Sequence, residues 1–537
     1  MTLMMAAGYG LTLASLGLGH WYFKIDRSPL VTMSTRAALT VALPWILFAI
    51  VLRLNYIFEA AGGFFVFEEM SASIVYIDNL LRHETAWAGA TQMVYYLVMD
   101  AWRLMFGMNP IVARGPSFLF GIATMAMLLM ATRRLVNTPA ALFTAGFLGL
   151  SMYGVFFSTL ILEPAWTMFF FALALYVYSL CIDERLKAAA IGLILALGTF
   201  TYPSFVLWTL ALAPASLLVY RGELVRRWKL LLPLLLGAAL FAGPTLWFHF
   251  SHYADRPLLQ GGGVFLAGER FQYFVSLWTH ILDLWWKTTS YYLLYTELAF
   301  VEYMTWGFFG LGVWRLIILE KRRWAAALLI SMVLTIPLSA FATNLPGMRR
   351  AIVILAPYYM FVGVGFEIFV SRALQARRAM AIAGLATALV TVALGMFLVL
   401  EGRKAVAALL PYNVFTQALQ SPGFREVLKR YEVQLIDQDP DTFNVAHIPA
   451  YVRLLDRYTT HEKPLAPNFT LVNASRERVP LELKTDRDTV LLFANPELND
   501  LLKKSAQYCT SGFTPLYERP YRLYAVLARN SISGSCR

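Results

Sequence analysis

About twelve apolar blocks of roughly 17–23 residues punctuate this chain, and a helix of that length covers the ~30 Å of a bilayer's hydrocarbon. Inside hydrocarbon every backbone amide needs a partner from the chain itself, which restricts such blocks to helices. The blocks lie near 3–23, 37–57, 111–132, 138–156, 160–181, 187–202, 204–220, 229–249, 302–319, 324–342, 350–371 and 379–400. The first has the length of a signal peptide. It lacks a basic n-region and a small-residue cleavage motif, so it is read as a further span. Composition agrees: 58% of the 537 residues are hydrophobic and 15% charged, and the mean hydropathy is +0.58. A soluble globular chain carries about a quarter charged residues.

The net charge of +12 is placed as a topology signal rather than as a polyanion-binding surface, which argues against nucleic acid as a partner. Lys24, Arg27 and Arg36 fill one short loop, and Arg133 and Arg134 the next on that side. Arg185 and Lys187 follow, then Arg221, Arg226, Arg227 and Lys229, then Lys321, Arg322 and Arg323, then Arg372, Arg377 and Arg378. Every second loop carries the bias, which assigns those loops to the cytoplasm. The remaining loops, and both termini, face outward.

Two outward loops are long. In 58–110, Met70, Ile74, Ile77 and Leu81 recur at helical spacing, and so do Met93, Leu97, Leu104 and Met105. Both sets predict amphipathic helices lying on the membrane surface. Loop 250–301 joins Gly261, Gly262 and Gly263 to a run of interfacial aromatics that includes Trp278, Trp285 and Trp286. From about 401 the composition turns polar. Val433–Ile436, Thr489–Phe493 and Tyr521–Leu527 read as strands, and Pro496–Ala506 as a helix between them. The domain expectation is therefore a membrane-embedded catalytic domain over 1–400 and a soluble α/β domain over 401–537. Of the three cysteines, Cys181 falls in an apolar block and reads as packing. Cys509 and Cys536 fall in the soluble segment, where an oxidising compartment permits a disulfide.

Three sets of outward polar residues stand out. Glu68-Glu69 heads the first surface helix; carboxylates there suit a general base or a divalent-cation site, and equally suit the helix dipole. Glu163 opens a span in Leu162-Glu163-Pro164. Proline at the first helical position is favoured, so an N-terminal cap is the plain explanation. Yet a carboxylate at the edge of hydrocarbon needs a polar cavity or a partner. Arg349-Arg350 stands on the outward side, against the charge bias. Its guanidinium forks match a phosphate, and they also match snorkelling to headgroups. Trp102 and Tyr95-Tyr96 on the second surface helix read as packing.

In combination these stretches resemble the GT-C glycosyltransferase superfamily, in the branch of the lipid A aminoarabinose transferases and the dolichyl-phosphate-mannose-type protein mannosyltransferases. Phe67-Glu68-Glu69-Met70, Asn79-Leu80-Leu81-Arg82-His83, Ala113-Arg114-Gly115-Pro116-Ser117, Leu162-Glu163-Pro164, and Arg349-Arg350 with Pro357 carry the likeness. The sequence departs from the branch in having Glu-Glu where it has Asp-Glu. It also has Thr91-Gln92-Met93 where the branch has Lys-Pro-Pro or His-Pro-Pro. The resemblance implies a polytopic α-helical membrane protein of the bacterial inner membrane, with its active site and C-terminal domain on the periplasmic side. It implies an inverting glycosyltransferase using a polyprenyl-phosphate-linked sugar, with a glycolipid, polysaccharide or protein as acceptor. By the same likeness Glu68, then Glu69, is the base. Glu163 supports the cavity, Glu69 and Glu163 hold a divalent cation (Mg or Mn), and Arg350 or Arg349 holds the donor phosphate. The rival class is a transporter or flippase of lipid-linked sugar, which places ionisable groups near mid-membrane. Here the acids collect at the outer ends of the spans. A scaffold carrying a sensor domain is a further alternative, and it requires neither Glu68 nor Arg350.

Overall fold

A computed structural model describes residues 33–59, 92–107, 110–161, 163–226, 228–252, 305–338 and 352–375, together with five strands between 432 and 530. These form two compact units, one of helices and one a sheet. The helical unit contains α1 (Thr35–Glu59), α2 (Met93–Phe106), α3 (Pro110–Leu135), α4 (Thr138–Leu150), α5 (Met152–Ser158) and α6 (Pro164–Ser179). It continues with α7 (Glu184–Thr199), α8 (Pro203–Arg226), α9 (Leu231–His252), α10 (Trp306–Val313), α11 (Arg323–Leu338) and α12 (Leu355–Gln375). Helices occur in ten of the predicted blocks; the blocks at 3–23 and 379–400 lie outside the described residues.

Five of the described helical stretches are long and apolar enough to cross a membrane: Thr35–Asn55, Ile111–Leu135, Ser204–Glu223, Trp228–Phe248 and Ile352–Ser371. Their outer surfaces are apolar too. Leu232, Leu235, Leu236, Leu240 and Trp247 of α9 are all exposed, an arrangement that water would penalise and lipid tails do not. The chain is a multi-pass membrane protein.

Hydrocarbon gives no hydrophobic drive for one helix to meet another, so close backbone approach and ring packing have to hold the unit together. Trp45 of α1 packs on Phe143 and Phe147 of α4 and on Phe366 of α12, with centroids 5.5–6.1 Å apart. Between α10 and α12 the contact is reciprocal: a Cβ on Gly365 would meet the Phe308 carbonyl, and one on Gly312 the Phe361 carbonyl. Helices α7 and α9 repeat the device, Gly192 against the Leu234 carbonyl and Gly237 against the Ala189 carbonyl.

The predicted span 138–156 is not one helix. At Ser151 the backbone turns extended, ending α4 and starting α5. Ser151 Oγ accepts from Gly154 N–H at 3.1 Å, the ordinary service of an N-terminal serine. The carbonyl of Gly149, left without a helical partner, accepts from Nη1 of Arg53 at 2.6 Å. Arg53 also gives Nη1 to the Ala49 carbonyl and Nε to Ser158 Oγ, at 3.0 and 2.8 Å. This fully buried cation therefore ties α1 to the α4–α5 break. At the far end Arg134 lies over the Tyr176 ring, and Cys181 is exposed just beyond α6. That corrects its assignment to packing: α6 ends at Ser179, before the apolar block does.

A second polar chain crosses three segments. Met33 N–H donates to Ser371 Oγ at 3.0 Å, and Ser371 Oγ donates to Glu367 Oε1 at 3.1 Å. Glu367 forms a buried ion pair with Arg315. Arg315 Nε reaches Glu320 Oε1 at 2.7 Å, and Arg322 Nε reaches Glu320 Oε2 at 3.0 Å. Arg315 lies in a π-turn, Trp314–Leu319, whose wider winding is rare and often marks a functional or strained position.

The sheet unit has β1 (Glu432–Asp437), β2 (Phe469–Asn473), β3 (Thr489–Phe493), β4 (Tyr508–Tyr517) and β5 (Leu523–Asn530), in the order β2-β1-β3-β5-β4. β1 runs parallel to β2 and β3, while β5 runs antiparallel to β3 and β4. Three strands match the predicted ones. The predicted helix Pro496–Ala506 lies outside the described residues.

Two predictions follow from these contacts. Gly365→Ala should lower the thermal midpoint in detergent, because its methyl meets backbone; overpacking costs about 1–3 kcal/mol. Gly222→Ala, with nothing within 4 Å of its Cβ, should leave the midpoint unchanged or raise it. Equal losses in both would contradict the close helix contact. The second concerns Glu320. Burial pushes its carboxyl up, but hydrogen bonds and charge from Arg315 and Arg322 outweigh that and hold it below the usual carboxylate value. A depressed carboxylate stabilises the fold above its unfolded pKa of about 4.3, and the benefit is lost as pH falls through the lower folded value. Glu320→Gln should thus lower the midpoint at pH 7, with the gap to wild type closing as the pH is taken below about 4.

Candidate functional site

Glu163 is the predicted site residue that lies among the described ones. It stands at the N-terminal cap of α6, with Pro164 at the first helical position, yet its side chain makes no capping hydrogen bond. Its carboxylate instead accepts from Nε2 of Gln92 at 2.7 Å, both residues being buried. The capping explanation is therefore set aside. The positive end of the α6 dipole still favours the charge.

Local packing fixes both partners. One turn into α6, the fully buried Trp166 donates Nε1–H to Ser117 Oγ of α3 at 3.1 Å. Its ring stacks on Phe120 with centroids 4.4 Å apart and meets Tyr95 of α2 at 4.6 Å. Gln92 stands at the N-terminal cap position of α2 without a side-chain capping bond, and Val94 N–H donates to the Phe200 carbonyl, where α7 ends, at 3.0 Å. The starts of α2, α3 and α6 and the end of α7 thus converge. Arg114, in the first turns of α3, is fully buried.

Helix α2 is the predicted second surface helix, with a different apolar division. Met93, Val94, Tyr95, Tyr96 and Met99 are buried, whereas Leu97, Leu104, Met105 and Phe106 stay exposed. Trp102 donates Nε1–H to the Val112 carbonyl at 2.8 Å and packs on Phe106. Both Trp102 and the Tyr95-Tyr96 pair serve packing, as expected from the sequence.

Glu68, Glu69, Arg349 and Arg350 lie outside the described residues, as do the first surface helix and most of loop 250–301. Among the described residues no group of three His, Cys, Asp or Glu side chains is arranged to hold a metal. Sequence reasoning missed two residues at or near this helix end. Gln92 was noted as part of a departure from a motif, with no hint of its partner. Arg53 carried a readable signal, a cation inside the predicted span 37–57.

No family model matches the sequence, and no curated protein matches it. Solved structures do match. ArnT from Cupriavidus metallidurans bound to undecaprenyl phosphate superposes with a TM-score of 0.59 at 14% identity, covering 90% of this chain and 98% of that one. Its apo form gives 0.57 at 13% identity, with the same coverage. The chain has the fold of ArnT. ArnT is a lipid A aminoarabinose transferase, a protein of the branch that the motifs resemble.

Proposed function

We propose that the chain is an inverting glycosyltransferase that moves a sugar from a polyprenyl-phosphate donor to an acceptor at the outer face of the bacterial inner membrane. The observation that carries this is a buried carboxylate, Glu163, held by Gln92 and not used by its own helix, in a chain with the fold of ArnT. ArnT has been seen with undecaprenyl phosphate bound, and a lipid of that class fits a protein whose helix surfaces face hydrocarbon. Glu163 supplies the polar group that such a cavity needs at the membrane edge.

The reaction is a single displacement. An acceptor hydroxyl attacks the anomeric carbon as the bond from that carbon to the phosphate oxygen breaks. Polyprenyl phosphate leaves with the electron pair, and the hydroxyl proton passes to Glu68 as base, with Glu69 the second choice. Arg350 or Arg349 holds the donor phosphate through its planar fork. Glu163 supports the same cavity. Glu69 and Glu163 offer hard oxygen donors of the kind Mg or Mn prefers. When bound, such a cation offsets the charge developing on the leaving phosphate. Water excluded from the cavity protects the donor from hydrolysis. The acceptor is a glycolipid, a polysaccharide or a protein. The segment 401–537 is an outward soluble domain.

The test uses the full chain in proteoliposomes supplied with undecaprenyl phosphate carrying a tritiated sugar and a cell-envelope extract as acceptor. Transfer is read by thin-layer chromatography as label leaving the undecaprenyl phosphate donor. Glu68→Gln should reduce transfer by about 10²–10⁴-fold, the usual worth of a general base, with an unchanged thermal midpoint. Glu163→Gln should also reduce it, and excess EDTA should slow the wild type. Full turnover in Glu68→Gln would remove that residue as the base. A wild-type chain that neither transfers label nor binds undecaprenyl phosphate would sink the glycosyltransferase assignment.

A further inference from the structure

Gln92 has an amide whose orientation chemistry dictates. An ionised carboxylate only accepts hydrogen bonds, so the amide must turn its N–H toward Glu163 and its oxygen away. Among the described residues that oxygen, Oε1, accepts nothing, although Gln92 is only 7% exposed. A buried amide oxygen without a donor is costly, and such groups in native proteins call for an explanation. Looseness does not explain it. Val94 N–H is bonded to the Phe200 carbonyl two residues on, and Tyr95 is wedged against Trp166.

The unanswered atom is an acceptor, and a phosphate at neutral pH also presents acceptors, so Oε1 does not hold a phosphate. That oxygen instead suits an O–H donor. We propose, on the basis of the function assigned above, that Gln92 reads the sugar of the donor lipid. Its amide nitrogen holds Glu163 in place, and its amide oxygen accepts a hydrogen bond from a sugar hydroxyl. The sugar ring then lies against Oε1 of Gln92, and Gln92 itself makes no contact with the phosphate.

The experiment measures the affinity of the full chain in nanodiscs for two probes, undecaprenyl phosphate and undecaprenyl-phosphate glucose. Gln92→Ala and the volume-matched Gln92→Met should each weaken binding of the glucosylated lipid by about 3- to 10-fold, the worth of one neutral hydrogen bond. Affinity for the bare lipid should stay within twofold, which also reports an intact fold. If the alanine variant loses both lipids, the methionine variant decides. Equal weakening of both lipids in that variant, or no change in either, overturns the proposal, as does a wild type that binds the bare lipid alone. Binding of MnCl2, followed by electron paramagnetic resonance, should not change; its loss in the variants would make Oε1 a metal ligand and also overturn the proposal. A wild type that binds neither lipid removes the underlying function together with this inference. An unmoved variant beside a binding wild type removes the role of Gln92 alone.

Discussion

Hydrocarbon offers no hydrogen-bond partners, and the buried charged groups Arg53, Glu163 and Glu367 of the helical unit answer to that one constraint. Arg53 is tolerable because the break at Ser151 frees a carbonyl and Ser158 adds a hydroxyl. Glu367 is tolerable because Arg315 and Ser371 face it. Glu163 has Gln92 as a donor. In each case at least one partner lies on another segment, so the polar contacts that charge burial requires also fix how the helices are arranged. Gln92 differs, since half of its amide is answered within the described fold and half is turned outward from that contact.

Much of the helical architecture is visible in the sequence because membrane thickness imposes a length that can be counted. Ten predicted blocks contain helices at the predicted places. The miss at 138–156 has a local cause. Ser151 sits in an otherwise apolar run, and the arginine that rewards a break there comes from a helix about a hundred residues earlier. In the sheet, β1, β3 and β5 carry apolar runs and were legible, while β2 and β4 were not. β4 contains Gly512 and Pro515, which read as turn residues. The strand takes them up at the sheet edge, with register shifts between Ser511 and Thr514 and between Pro515 and Tyr517.

The candidate site was legible in proportion to charge. Glu163 declared itself by standing beside a proline at a span start, and its carboxylate is buried against Gln92 without a capping bond. Gln92 gave no such sign, because an uncharged amide at the start of a surface helix is ordinary until its partner is known. That partner is 71 positions away. Sequence spacing cannot pair two residues on helices whose meeting depends on Trp166, Ser117 and Tyr95 packing between them.

The paired glycines at the α7–α9 crossing have an effect beyond close packing. A joint built from main chain against main chain contains no rotamers, so its width does not drift as side chains re-sort on warming. Nor can lipid tails of a different length wedge into it. α9, otherwise left uncovered along most of its apolar surface, is therefore held at one fixed spacing from α7, whose far end carries the carbonyl that steadies the start of α2.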